Sequence, residues 1–221
     1  MNKVRSEKFH RYALYFVPRK KTHLAEFGSE WFNSPHHENV IATPRRYGFH
    51  ATLKAPFYLK TECEPDDLFA AVEDLALSTY PVVLGGLQIE KIADFLALVQ
   101  SRESDDLNKL ALRCVRILDA YRAQLSDAEI AKRRSAGLNE REERMLLKWG
   151  YPYVKKTYRF HMTLTGRLNN RQMKMLRPVL ARMAINVIDQ PIMVDDICVL
   201  GDPGNDQPFR LLERFALSGQ P

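Results

Sequence analysis

The chain is poor in cysteine. Cys63, Cys114 and Cys198 are the only three, odd in number and far apart. That excludes a disulfide framework and the paired ligand spacing of a zinc site, and it suits a reducing compartment. His-Glu-x-x-His is missing, as is any cluster of carboxylate or cysteine ligands, so a two-histidine metal protein is the weakest reading. No metal and no cofactor are expected. Long apolar runs are lacking too, and none would span a bilayer. The first residues are charged (Lys3, Arg5, Glu7, Lys8) and carry no signal-peptide pattern. These absences predict a cytoplasmic monomer with no membrane partner.

What is present is ordinary in amount. The 221 residues are 45% hydrophobic, enough for a substantial core. The net charge is +6 and the sequence pI is about 9.2. Such an excess suits an anionic substrate, phosphate above all; a basic surface facing water is the plain alternative.

Two stretches organise the rest: Tyr47-Gly-Phe-His-Ala-Thr-Leu-Lys54 and Tyr158-Arg-Phe-His-Met-Thr-Leu-Thr165. Tyr, Phe, His, Thr and Leu recur at the same offsets. Both read as β-strands, rich in aromatic and β-branched residues. Alternate residues of a strand share a face. One face of the first carries His50, Thr52 and Lys54; the corresponding face of the second carries Arg159, His161, Thr163, Thr165 and Arg167. The opposite faces, with Tyr47, Phe49, Tyr158 and Phe160, are apolar and expected in the core.

The surrounding order repeats as well. Residues 1–10 read as a loose arm. Strands are expected over Arg11–Val17, Phe49–Leu59, Val82–Ile92, Phe95–Gln100, up to Leu168 after the second histidine, Pro191–Gly201 and Phe209–Leu217. Helices are expected near His23–Trp31, from Glu64 to Tyr80, from Ser104 as the longest, and over Arg171–Ala184; Ser34–Glu38 reads as a loop. The offset from His50 to His161 matches that from Pro81 to Pro191 within one residue. The chain is therefore read as one bilobal domain, 1–221, of two strand–helix–strand–helix–strand units, around 11–92 and 95–217, with a final strand. Residues 126–153, dense in charge, are a helical insertion: a solvated hairpin, or a lid that narrows the cleft.

Two imidazoles and two hydroxyls around one cavity form an acid–base site. Imidazole exchanges protons near neutrality. Hydrolysing a cyclic phosphodiester needs a base for water and, on the far side of phosphorus, an acid for the departing alkoxide. Thr52 and Thr163 can donate to the non-bridging oxygens, and Lys54, Arg159 and Arg167 can add charge-assisted contacts.

His50-Ala-Thr52 and His161-Met-Thr163 resemble the paired His-x-Thr/Ser motifs of the 2H phosphoesterase superfamily. Arg11-Tyr-Ala-Leu-Tyr-Phe-Val-Pro18, the run Tyr47–Phe57 and Trp149-Gly-Tyr-Pro-Tyr153 resemble its uncharacterised branch found with phosphonate-metabolism genes. The resemblance covers nearly the whole chain. It implies an α+β fold of duplicated units, two lobes of mainly antiparallel sheet around a central cleft with helices outside. It also implies metal-independent cleavage, hydrolysis or ligation of phosphodiesters, with His50, Thr52, His161 and Thr163 catalytic. The expected substrate is a small cyclic or 2′-linked phosphoester, such as a cyclic nucleotide or ribose phosphate; RNA is a further candidate. Tyr151 and Tyr153 are candidates to stack on a base or sugar, with a packed loop as their other reading. The competing function is a non-catalytic RNA- or nucleotide-binding module that uses the basic cleft.

Overall fold

The computed structural model describes Arg5 and residues 7–220. The rest of the arm expected over residues 1–10 (1–4 and 6) lies outside the described residues. In chain order the elements are β1 (Arg11–Phe16), α1 (His23–Phe32), α2 (Glu38–Tyr47), β2 (Ala51–Phe57), α3 (Pro65–Leu77), β3 (Val82–Leu84), β4 (Leu87–Ile92), β5 (Phe95–Gln100), α4 (Asp105–Ile117), α5 (Asp127–Arg134), α6 (Glu140–Trp149), β6 (His161–Thr163), α7 (Asn170–Met183), β7 (Ile192–Val194), β8 (Asp196–Asp202) and β9 (Arg210–Ala216).

Seven strands form one antiparallel sheet in the order β4-β5-β6-β2-β1-β8-β9. The expected α+β class, mainly antiparallel with helices alongside, is the class found. The order is symmetric about the β6–β2 seam once β9 is set aside. Strand β4 forms a hairpin with β5, the first strand of the second sequence unit, and β8 pairs with β1, so the sheet halves interleave the sequence units. The short β3 and β7 pair with each other as a separate ribbon.

One face of the sheet carries the main core. Tyr12, Leu14 and Phe16 of β1 meet Trp31 of α1, Phe69 of α3 and Leu110 of α4 there. Trp31 is fully buried, and its indole N–H donates to the Leu164 carbonyl (2.7 Å). A smaller cluster of Ala13, Tyr15, Cys198 and Leu200 lies apart, with Val17 and Phe209 against it.

Helix starts follow the local chemistry. Thr22, Ser104, Ser126, Asn139 and Asn169 each accept a backbone N–H of the first turn. Helix α2 is not among the expected elements, and it carries Pro44 in its interior. A proline at that position leaves the carbonyl four residues back without its helical donor. Here that carbonyl, on Val40, accepts the N–H of Gly166 (2.6 Å) from beyond β6. The break in the helical ladder thus becomes a tie between α2 and the loop after the second histidine strand.

Three expected strands are shorter or divided. Val82–Ile92 breaks at Gly85-Gly86, where Gly86 takes φ +134 against the Asp189 backbone. Pro191–Gly201 breaks at Asp195, beside a buried Asp196 that holds Arg214 (3.0 Å) and Arg19 (3.1 Å). The second histidine strand spans only three residues, because a single helical turn at Lys155–Thr157 occupies its approach. The longest helix is α7, at 14 residues, against 13 for α4.

Candidate active site

The two histidine strands meet at the middle of the sheet. Ala51 of β2 is paired with Met162 of β6. Carried one residue either way, that antiparallel register sets His50 across from Thr163 and Thr52 across from His161. Ala51 and Met162 are fully buried on the core side; the two histidines and two threonines are partly exposed on the other.

The segment before His50 is fixed from both sides. Helix α2 ends at Gly48, whose φ of +75 suits glycine. Phe49 packs edge-on to Phe27 and Phe32 of α1, so closely that a Cβ at Gly28 would lie 2.0 Å from its ring. With Phe49 anchored inward, His50 is directed outward. Phe160 does the same for His161: it is 1% exposed and faces Phe16.

Both rings are held alike. His50 Nδ1–H donates to the Gly48 carbonyl (2.9 Å), and His161 Nδ1–H to the Arg159 carbonyl (2.8 Å). A carbonyl only accepts, so Nδ1 carries the proton in each ring, and in the neutral form Nε2 is left as the basic atom. The Thr52 hydroxyl lies 3.4 Å from His50 Nε2. Burial pushes the His50 pKa down to about 4, partly opposed by the Gly48 carbonyl and helped by the charge of His161. Burial also lowers His161; the Arg159 carbonyl opposes this, and the Arg159 guanidinium adds to it.

A cavity of about 500 Å³ opens beside this seam. Thr52, Lys54, Arg159, His161, Tyr151 and Tyr153 all line it. His50 and Thr163 are outside its lining and join the site through the seam. Lys54 is 3% exposed, beneath α4, where its ammonium donates to the Val115 carbonyl (3.3 Å) and lies over the Phe57 ring. Burial draws its pKa down to about 8, with Asp119 raising it and Arg122 lowering it. No carboxylate lies within ion-pair distance of Lys54 or Arg159 among the described residues. Arg167 is elsewhere: it is exposed and pairs with Asp94 (3.2 Å). Thr165 is buried and accepts the Leu96 N–H (3.0 Å), so it has no place in the cleft.

Two aromatic residues differ from expectation or escape it. Tyr158, expected in the core, packs partly buried against it and also lines the cavity, and its hydroxyl donates to the Thr52 carbonyl (3.0 Å). The turn at Lys155–Thr157 takes it off the strand alternation. Tyr15 stacks on His50 with centroids 3.7 Å apart and planes at 17°. Alternation along β1 is the available signal for it. Helices α5 and α6 stand beyond Tyr151, and Glu142 and Trp149 of α6 also reach the cavity. Among the described residues no group of three His, Cys, Asp or Glu is placed to hold a metal, and no helix is long and apolar enough to cross a membrane.

Residues 52–210 match the model of the family described as Protein of unknown function (DUF1045). The chain belongs to that family. It is also similar to two proteins called Ribose 1,5-bisphosphate phosphokinase PhnN. The one from Janthinobacterium sp. (strain Marseille) is 35% identical over 99% of this chain and 53% of its own length. The one from Laribacter hongkongensis (strain HLHK9) is 30% identical over 91% and 50%. The chain therefore spans about half the length of the curated relatives it matches. Among solved structures, TT0787 of Thermus thermophilus has a TM-score of 0.51 at 17% identity, covering 96% of this chain and 100% of that one. That likeness concerns the fold. E. coli LigT complexed with NADP+ has a TM-score of 0.48 at 12% identity, covering 97% of this chain and 100% of that one. The DUF1045 chain keeps the α+β fold that its resemblance to the 2H phosphoesterases implied.

Proposed function

We propose that the chain is a phosphoesterase that hydrolyses a small cyclic or 2′-linked phosphodiester with its two histidines as acid and base. The observation that carries this reading is the seam: β2 and β6 are neighbours, with both His-x-Thr motifs on one face and in facing register. One Nε2 takes a proton from water while the new oxygen bonds to phosphorus. The bond to the leaving oxygen breaks, and the other Nε2–H protonates it. Thr52 and Thr163 hold the non-bridging oxygens, and Lys54 and Arg159 add positive charge. The proton account closes with protein groups alone. A site of this size suits a nucleotide or sugar phosphate. The names of the longer relatives favour a phosphorylated ribose as the substrate, which suits a place in phosphonate or nucleotide metabolism.

The test is a panel of 2′,3′-cyclic nucleotides, ribose cyclic phosphates and 2′-5′ oligonucleotides, run with and without chelator. Turnover of at least one member, surviving chelation and abolished in His50→Ala and His161→Ala, is expected. Tight, salt-sensitive binding with no turnover would replace the enzyme with a binding module.

A further inference from the structure

The two half-sites are not equivalent, and the difference lies in the strands beside them. Tyr15 of β1 is the direct partner of Thr52, and Ala97 of β5 is the direct partner of Thr163. The two residues therefore occupy corresponding places on the cleft face. Tyr15 covers the face of the His50 imidazole in a parallel stack. It is itself 1% exposed, held by Ala13, Cys198 and Leu200, with Phe209 behind it. At the corresponding place His161 has only a methyl group. Its nearest ring is Phe95, at 6.1 Å and a 48° tilt.

We propose that Tyr15 is a positioning residue that makes the histidines unequal, fixing His50 as the general base and leaving His161 as the general acid. This rests on the phosphodiesterase reading above. A ring stacked at 3.7 Å cannot tilt, so Nε2 keeps its aim, and one face of the imidazole is closed to water. A base must begin the reaction unprotonated, which that covering favours. His161, unstacked and next to the cavity, is the ring that solvent or a bound phosphate anion can keep protonated. In the step itself His50 Nε2 gains the water proton, the P–O bond to the water oxygen forms, the P–O bond to the alkoxide breaks, and His161 Nε2–H supplies the alkoxide proton. Solvent then returns both rings to their starting states. The titratable or charged groups around His50 are Tyr15 from β1 and His161 from β6; around His161 they are Arg159 beside it and, across the shared cavity, Lys54, Arg122, Glu142, Tyr151, Tyr153 and Tyr158.

The test combines imidazole NMR titration with the pH profile of kcat/KM in the wild type, Tyr15→Phe and Tyr15→Ala. In the wild type His50 is expected to titrate below His161. Tyr15→Phe keeps the stack, so the order persists and kcat stays within about threefold. Tyr15→Ala is expected to raise the His50 value by about one unit, shift the acid limb with it, and lower kcat about tenfold with little change in KM. A wild-type His161 that titrates below His50 overturns the proposal, and so does a Tyr15→Ala acid limb that stays in place. Should Tyr15→Ala not fold, the wild-type order alone decides. Titration in the expected order with no turnover of any phosphodiester would end the base role together with the reading it rests on. A reversed order with intact turnover would end the Tyr15 assignment alone.

Discussion

At His50 the chain arrives from a 10-residue helix, turns at Gly48 and places the imidazole under Tyr15. At His161 it arrives from a single helical turn and places the imidazole beside a cavity, with Ala97 where the aromatic ring would be. The tether is the same in both, Nδ1–H to the carbonyl two residues back. What differs is the packing behind it. Repeated backbone geometry sets where the two Nε2 atoms point, and unrepeated neighbours set how readily each takes a proton.

The largest effect expected is on catalysis. His50→Ala and His161→Ala should each lower kcat at least about a hundredfold, since each removes a proposed general acid or base. The double variant should be little worse than either single one, because the rings act as a unit. Multiplying losses, seen in steady-state kinetics, would mean two independent sites.

The next contrast is among the cations. Lys54→Met should weaken kcat/KM about tenfold, because the buried ammonium borders the cavity. Arg167→Ala should stay within about twofold, because that guanidinium is exposed and pairs with Asp94. Equal losses from the two would place the phosphate elsewhere.

The insertion is a third point of difference, since only the second half has one. Deleting residues 128–148 should leave the thermal midpoint near that of the full chain, because α5 buries no residue and α6 buries only Leu146. It should widen the range of phosphodiesters accepted, as Glu142 would leave the cavity wall. Unchanged kinetics across the panel would reduce the hairpin to a solvated ornament.

The smallest effect is on stability. A His50 held near pKa 4 when folded binds its proton less readily than in the unfolded chain, near 6.5. Stability is therefore lost as pH falls from about 6.5 toward 4. The contribution is about 3 kcal/mol at most, reduced by the water that the half-buried ring still meets. His50→Ala should flatten that part of a pH series of urea melts and change little at pH 7. An unaltered slope would mean that the ring is well hydrated.

The histidine faces were legible in the sequence because alternation is local: Phe49 and Phe160 had to go one way, so His50 and His161 went the other. Symmetry of order was legible for the same reason, through matched positions such as Pro81 and Pro191. The missing parts depend on distant contacts. Helix α2 survives Pro44 because Gly166, far along the chain, takes up the freed carbonyl. Lys54 is buried because α4 crosses above it. Strand β8 pairs with β1 from the far end of the chain, which no local pattern encodes. Tyr158 reaches the cavity because a helical turn, not a strand, precedes β6.

The most direct test of the shared seam is a titration of the protein with nucleoside 2′- and 3′-monophosphates, the two hydrolysis products a 2′,3′-cyclic nucleotide can give, followed by the Nε2 resonances of both histidines. With a shared seam, His50 and His161 shift together, in one binding step with a single Kd. A phosphate that moves one imidazole and leaves the other untouched at saturation would contradict it.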